Sequence, residues 1–129
     1  MSIETILHTE KIEQNKQLEI ERKFIALDST IFDQYKPLAS RITQLYLSHP
    51  DDEYSLRLRK EEAQDGTNRV DYTATLKDRG SITSRGLERM EIETIIGEDT
   101  YHYYADQQKY PVIKKERVEL CEGVTIDWI

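Results

Sequence analysis

The chain has 129 residues, 37% of them hydrophobic and 33% charged, with a formal net charge of -7; this describes one domain with a small core under a heavily charged surface. The acidic balance excludes generic binding to nucleic acid or to anionic membranes, which needs a basic face. No apolar run approaches the ~20 residues of a membrane span, and residues 1–17 lack the apolar stretch of a signal peptide.

Residues 1–16 are polar and read as an N-terminal extension, with the domain proper at 17–129. The first strand is predicted over 17–26. Within it, Leu18, Ile20, Arg22 and Phe24 fall on one face, and Glu19, Glu21 and Lys23 on the other. Charges at every second position stand about 6–7 Å apart. Neighbouring like charges are unfavourable unless a cation or donor lies between them. The row therefore suits a divalent metal beside a lysine that can hold an anion.

Asp28, Ser29 or Thr30 can cap a helix running to about Pro37, with Ile31, Phe32, Tyr35 and Leu38 on one side. Strands are predicted at about 42–48 and 53–61, around a turn at His49-Pro50-Asp51-Asp52. Asp65-Gly66-Thr67-Asn68 is a hairpin turn into a strand at 69–78. Residues 78–84 read as a loop and 88–96 as a strand. A helix follows at 99–109, with Tyr101, Tyr104, Ala105 and Gln108 on one side, stopped by Pro111. The last strands lie at about 112–120 and 124–129. Antiparallel strands with two inserted helices make an α+β domain or a barrel, not a parallel sheet.

Five further strands repeat the pattern of the first. Arg57, Arg59 and Glu61 alternate with Tyr54, Leu56 and Leu58; Thr73, Thr75 and Lys77 with Tyr72, Ala74 and Leu76. Arg89, Glu91 and Glu93 alternate with Met90 and Ile92. Lys115, Arg117 and Glu119 alternate with Val118 and Leu120, and Thr125 and Asp127 with Ile126 and Trp128. On a flat sheet such faces are merely solvated. On a closed one they line the bore, which has space for one small ligand. That many cations cannot be desolvated together without anions. A polyphosphate fits: arginine forks grip its oxygens, lysines act as point charges, and carboxylates hold Mg²⁺ or Mn²⁺.

These residues resemble the CYTH domain, the triphosphate tunnel metalloenzyme family. Glu19-Ile20-Glu21-Arg22-Lys23 matches its Glu-x-Glu-x-Lys strand. Gln44-x-Tyr46-Leu47, Leu56-Arg57-Leu58-Arg59, Thr75-Leu76-Lys77, Arg89-x-Glu91-x-Glu93, Lys115-x-Arg117 and Ile126-Asp127-Trp128 follow in the family's order. The resemblance implies an antiparallel β-barrel, a triphosphate tunnel, with two helices packed outside. It implies that Lys23, Arg57, Arg59, Lys77, Arg89, Lys115 and Arg117 hold phosphates. Glu19, Glu21, Glu91, Glu93 and Asp127 would hold metal, with Glu91, Glu93, Asp127 and Lys77 in the catalytic set. The chain stops at Ile129, where the family usually continues with a Glu-x-Glu strand and a helix. The expected barrel is thus incomplete at its C-terminal side; either the sequence is a truncated piece or a second copy supplies the closing edge.

The expected function is divalent-metal-dependent hydrolysis of a triphosphate-containing small molecule. The alternatives are an adenylate cyclase, for which no base-recognition surface is legible, and a non-catalytic polyphosphate- or nucleotide-binding module. Cys121 is the one cysteine, so the reduced cytoplasm is the expected compartment. His8, His49 and His102 lack metal-ligand spacing.

Overall fold

The computed structural model describes residues 15–25 and 30–129. The expected N-terminal extension, His8 and the candidate caps Asp28 and Ser29 therefore lie outside the described residues, apart from Asn15 and Lys16, which open the first strand. Eight strands form one antiparallel sheet: β1 (Asn15–Glu21), β2 (Ser40–Tyr46), β3 (Tyr54–Glu62), β4 (Val70–Asp78), β5 (Ser81–Thr83), β6 (Gly86–Ile95), β7 (Val112–Cys121) and β8 (Val124–Trp128). Their spatial order is β1-β6-β4-β3-β2-β7-β8, with β5 as a short extra partner of β6. Two short helices interrupt them, α1 (Thr30–Tyr35) and α2 (Glu98–Ala105).

Apart from β5, which forms, because it pairs with the start of β6, inside the segment 78–84 expected as a loop, the strands lie about where period-two patterning puts them. Leu45, Leu58 and Ala74 come from three adjacent strands and cluster with Ile96 and with Tyr101 of α2. Leu58 is fully buried. A second cluster joins Phe32 of α1 to Ala39, Val118, Leu120 and Ile126, and the Phe32 ring stacks on Trp128 at 5.4 Å. Both helices therefore contribute to clusters on the apolar face. Of the residues expected along α1, only Phe32 is buried among those described; Tyr35 and Leu38 are exposed. The chain tightens into a 3-10 turn over Lys36–Leu38, where Pro37 ends the α-helix. In α2, Tyr101 is buried and Tyr104 and Ala105 pack beside it. Gln108 lies beyond the helix at φ 54, so its expected place on that face is not kept.

The sheet is curled into a half-barrel. A flat sheet would hold β1 and β7, five positions apart, about 24 Å from one another. Yet the Arg117 guanidinium on β7 feels the charge of Glu21 on β1. The charged face is thus the concave one. Among the described residues, β1 and β8 do not pair with each other; the concavity is an open trough.

The hairpin turns depend on backbone that glycine permits. Gly86 sits at φ 120, and a Cβ there would stand 2.5 Å from the Glu21 carbonyl oxygen. This close approach seats the β5–β6 turn against the end of β1. Arg22 fastens it by donating to the carbonyls of Ser84 (2.7 Å) and Arg85 (3.1 Å).

Candidate functional site: a divided charged trough

The register sets which side chains share the trough. Glu19 lies opposite Arg89, Lys77 opposite Glu91, and Thr75 opposite Glu93. On the other side of β4, Thr75 lies opposite Arg57 and Thr73 opposite Arg59. Arg59 in turn pairs with Gln44, Ser40 with Arg117, and Arg117 with Asp127. These pairs carry one continuous polar surface from β1 to β8.

The trough has two unlike halves. The first, on β1, β6 and β4, holds Glu19, Glu21, Glu91 and Glu93 with Lys77 and Arg89. Lys77 Nζ donates to both oxygens of Glu19, at 2.8 and 3.0 Å, and lies 3.7 Å from Glu91. Arg89 bridges the strand pair, Nε to Glu19 and Nη2 to Glu21, each at 3.0 Å. Lys77 and Glu91 are buried at 7% and 4% exposure, so their charges are settled by one another rather than by water. Burial works against ionisation of Glu19, but hydrogen bonds from Glu91, Lys77 and Arg89 outweigh it and bring its pKa down to about 2. Burial and the hydrogen bond to Glu19 push Glu91 up to about 7, against the pull of Lys77. The pair therefore favours a proton on Glu91 over one on Glu19, because Glu19 takes the hydrogen bonds of Lys77 and Arg89.

The second half, on β3, β2, β7 and β8, is dominated by cations. Arg57, Arg59, Lys115 and Arg117 face Glu61 and Asp127. Asp127 is fully engaged: Arg117 Nε and Nη2 reach it at 2.7 and 2.9 Å and Lys115 Nζ at 2.8 Å. Burial opposes its ionisation, but hydrogen bonds from Arg117 and Lys115 take its pKa to about 2. Glu61 accepts a hydrogen bond from Ser40 at 2.8 Å. Arg59 is fixed by Gln44, whose side-chain oxygen accepts from Nε at 2.8 Å and also from Nη2. Gln44 is 1% exposed and donates to the Tyr46 hydroxyl at 3.0 Å. Burial, then the charges of Arg57 and Arg117, lower Arg59 to about 10. Among the described residues, Arg57 Nε is buried with no hydrogen-bond partner. Here positive charge is gathered beyond what the protein itself neutralises.

Of the residues singled out in the sequence for the site, eleven of the twelve cations and acids share the trough; Lys23 stands apart. It was expected on the Glu19–Glu21 face, but β6 begins at Gly86, opposite the end of β1. The ladder therefore stops at Glu21↔Leu87. Lys23 lies past it, 80% exposed and 3.7 Å from Glu21. Gln44 and Thr75 also lie among these side chains, though no role was assigned to them from the sequence. Both are buried polar residues, Gln44 between Ile42 and Tyr46 on its strand face and Thr75 between Thr73 and Lys77 on its own, a signal that alternation alone does not rank.

The first half's donors are all oxygen, which suits a hard divalent cation. Among the described residues, however, no three histidine, cysteine or acidic side chains converge as a preformed cage. Neither a scan against protein-family models nor a search of curated proteins returns a match for this chain. The candidate site therefore stands on its geometry.

Proposed function

We propose that the trough binds a triphosphate and, with Mg²⁺ or Mn²⁺, hydrolyses it. The observation that carries this reading is the unpaired, buried Arg57 Nε beside the depressed Arg59. A buried N–H without an acceptor loses its hydration with no return. Phosphate oxygens supply the acceptors and the charge that is wanting. The order of motifs that resembles triphosphate tunnel metalloenzymes agrees with this reading, and so does the half-barrel.

Arg57, Arg59, Lys115 and Arg117 grip the phosphates; Gln44 holds the Nε and Nη2 edge of Arg59, which leaves Nη1 for phosphate. Glu19 and Glu91, flanked by Glu21 and Glu93, are the residues that would hold a divalent cation. Mg²⁺ commonly takes one or two carboxylates and completes its shell with water and substrate phosphates, so a two-carboxylate seat fits. When bound, it neutralises charge building on the transferred phosphoryl group. Glu93, Thr75 and Arg57 lie in one cross-strand row at the border of the two halves. Glu93 is thus the acid placed to orient a water toward a phosphorus held by Arg57. Asp127 is unsuited to that role, since three hydrogen bonds and a low pKa leave it little basicity.

Incubation with tripolyphosphate and Mg²⁺ or Mn²⁺ is expected to release orthophosphate. No release with either metal, while tripolyphosphate still binds, refutes the hydrolase reading. It leaves the second reading, a non-catalytic polyphosphate-binding module, which the want of a three-acid cage among the described residues favours.

A further inference from the structure

The sheet is open at β8. That strand pairs with β7 and, among the described residues, with nothing on its other edge. Asp127 is an exposed residue, yet only 26% of its side chain is exposed, so its main chain is the more exposed part. A free edge invites another strand, and proteins that avoid this guard the edge with charge. The other free edge, β1, carries Lys16, Glu19 and Glu21 in seven residues. β8 reads Val124-Thr125-Ile126-Asp127-Trp128, and its single charge is tied to Lys115 and Arg117 of the same chain. This edge is unguarded.

The apolar side of β8 is also incompletely covered. Val124 and Trp128 are half exposed, and Ile129 after them is largely exposed. Phe32 stacks on one face of the Trp128 ring, but Leu38, next to Ala39 of the same cluster, stands out in solvent. Large apolar side chains gathered at a free strand edge mark a surface that meets another protein.

The sequence of β8 selects a second copy of itself. Opposed residues of antiparallel strands point to the same side of the sheet, so a two-fold axis between two copies of β8 must pass through a residue. Centred on Asp127, the pairing would set two Asp127 carboxylates against each other, which is destabilising. Centred on Thr125, it would leave Trp128 unpaired. Centred on Ile126, all five residues pair: Val124 with the partner's Trp128, Thr125 with the partner's Asp127, and Ile126 with the partner's Ile126. An aromatic side chain opposite a β-branched one stabilises a sheet, and a threonine hydroxyl donates to a carboxylate.

We infer that β8 is a homodimer interface, in which a second copy of this chain pairs its own β8 antiparallel about Ile126. The sheet then runs from one copy into the other with both concave faces on the same side. The partner's Lys115 and Arg117 come to lie three strands from their counterparts, about 14 Å away, with two Asp127 carboxylates between them. The cation-rich halves of the two troughs become one strip, whatever ligand the trough takes.

Sedimentation equilibrium of the native protein under reducing conditions should give twice the chain mass of 15.2 kDa. Val124→Asp removes both valine–tryptophan pairs, because the two-fold axis repeats the loss, and should weaken the dimer about tenfold or more. Ile126→Cys in a Cys121→Ser background sets two thiols directly opposite, with Cα atoms about 4.5–5.5 Å apart, a span that a disulfide bridges. Mild oxidation should link it into a covalent dimer. Val124→Cys in the same background holds the thiols four residues out of step, about 14 Å apart, and should not link. A native protein that stays monomeric at millimolar concentration overturns the interface. So does a dimer that folded Val124→Asp leaves unweakened. Failure of Ile126→Cys to link, or equal linking of Val124→Cys, overturns it as well, and these two variants decide the matter even where Val124→Asp does not fold.

Discussion

Replacing Arg57 by methionine should make the empty protein more stable and a poorer binder of tripolyphosphate. Arg57 Nε is buried without a partner, and an unsatisfied buried donor costs about 1–3 kcal/mol. Arg57 is also the largest charge contribution lowering Arg59, so its removal relieves repulsion in the basic half. Methionine keeps most of the aliphatic volume that lies over Thr75. The net gain should be about 1–2 kcal/mol, or roughly 4–8 °C in melting temperature for a chain of this size. Against this, the variant loses a charged hydrogen bond to phosphate, about 1.5–3 kcal/mol, which weakens tripolyphosphate binding about 10- to 100-fold. Thermal unfolding in phosphate-free buffer and calorimetric titration read the two effects separately. A variant that melts lower than the native protein, or binds tripolyphosphate equally well, refutes the reasoning that Arg57 is held ready for an anion.

Other substitutions test the remaining parts of the trough. Lys77→Met leaves Glu19 and Glu91 facing each other at 21% and 5% side-chain exposure; breaking a buried pair costs 3–5 kcal/mol, and with Arg89 still on Glu19 the loss should be about 2–3, read from urea denaturation. Glu91 carries a raised pKa, so its contribution is full below the unfolded value of 4.5 and is lost as pH rises through about 7. Glu91→Gln should therefore flatten the fall in stability between about pH 5 and 8, and an unchanged pH profile refutes the preference for a proton on Glu91. Gln44→Leu removes the acceptor that aims Arg59 and should weaken tripolyphosphate binding about tenfold, with little effect if Arg59 merely points into solvent.

The strand framework was legible because alternation at period two survives any curvature of the sheet. Leu58 and Arg59 could be assigned to opposite faces from the sequence, and the structure places them so. The end of β1 was not legible, because Arg22, Lys23 and Phe24 continue the alternation after the partner strand has stopped. Strand length is fixed by the neighbour, and Gly86 decides where that neighbour begins. The three-residue β5 carries no alternation to detect, all of its residues being exposed. The division of the trough into an acid-rich and a cation-rich half was hidden for a related reason. It follows from the spatial order β1-β6-β4-β3-β2-β7-β8, in which β1 neighbours β6 and β2 neighbours β7, strands far apart in the chain.

On the triphosphate reading, that division also sets the order in which ligands should bind. In the acid-rich half, Glu19 already accepts from Lys77 and Arg89, Glu21 accepts from Arg89, and burial beside Glu19 raises the Glu91 pKa. A cation entering alone must compete with two fixed cations for the same oxygens. In the other half, Asp127 is spent on Lys115 and Arg117, and among the described residues Arg57 Nε has no acceptor. An anion entering alone meets one donor that is already desolvated and unopposed. Tripolyphosphate should therefore bind in the presence of a chelator, and Mg²⁺ should bind measurably only once tripolyphosphate is present, with each ligand strengthening the other by the same factor. Calorimetric titrations in both orders decide it. Tight Mg²⁺ binding to the phosphate-free protein, with no tripolyphosphate binding under chelator, would reverse the order and show that the carboxylates, not the arginines, are the half left wanting.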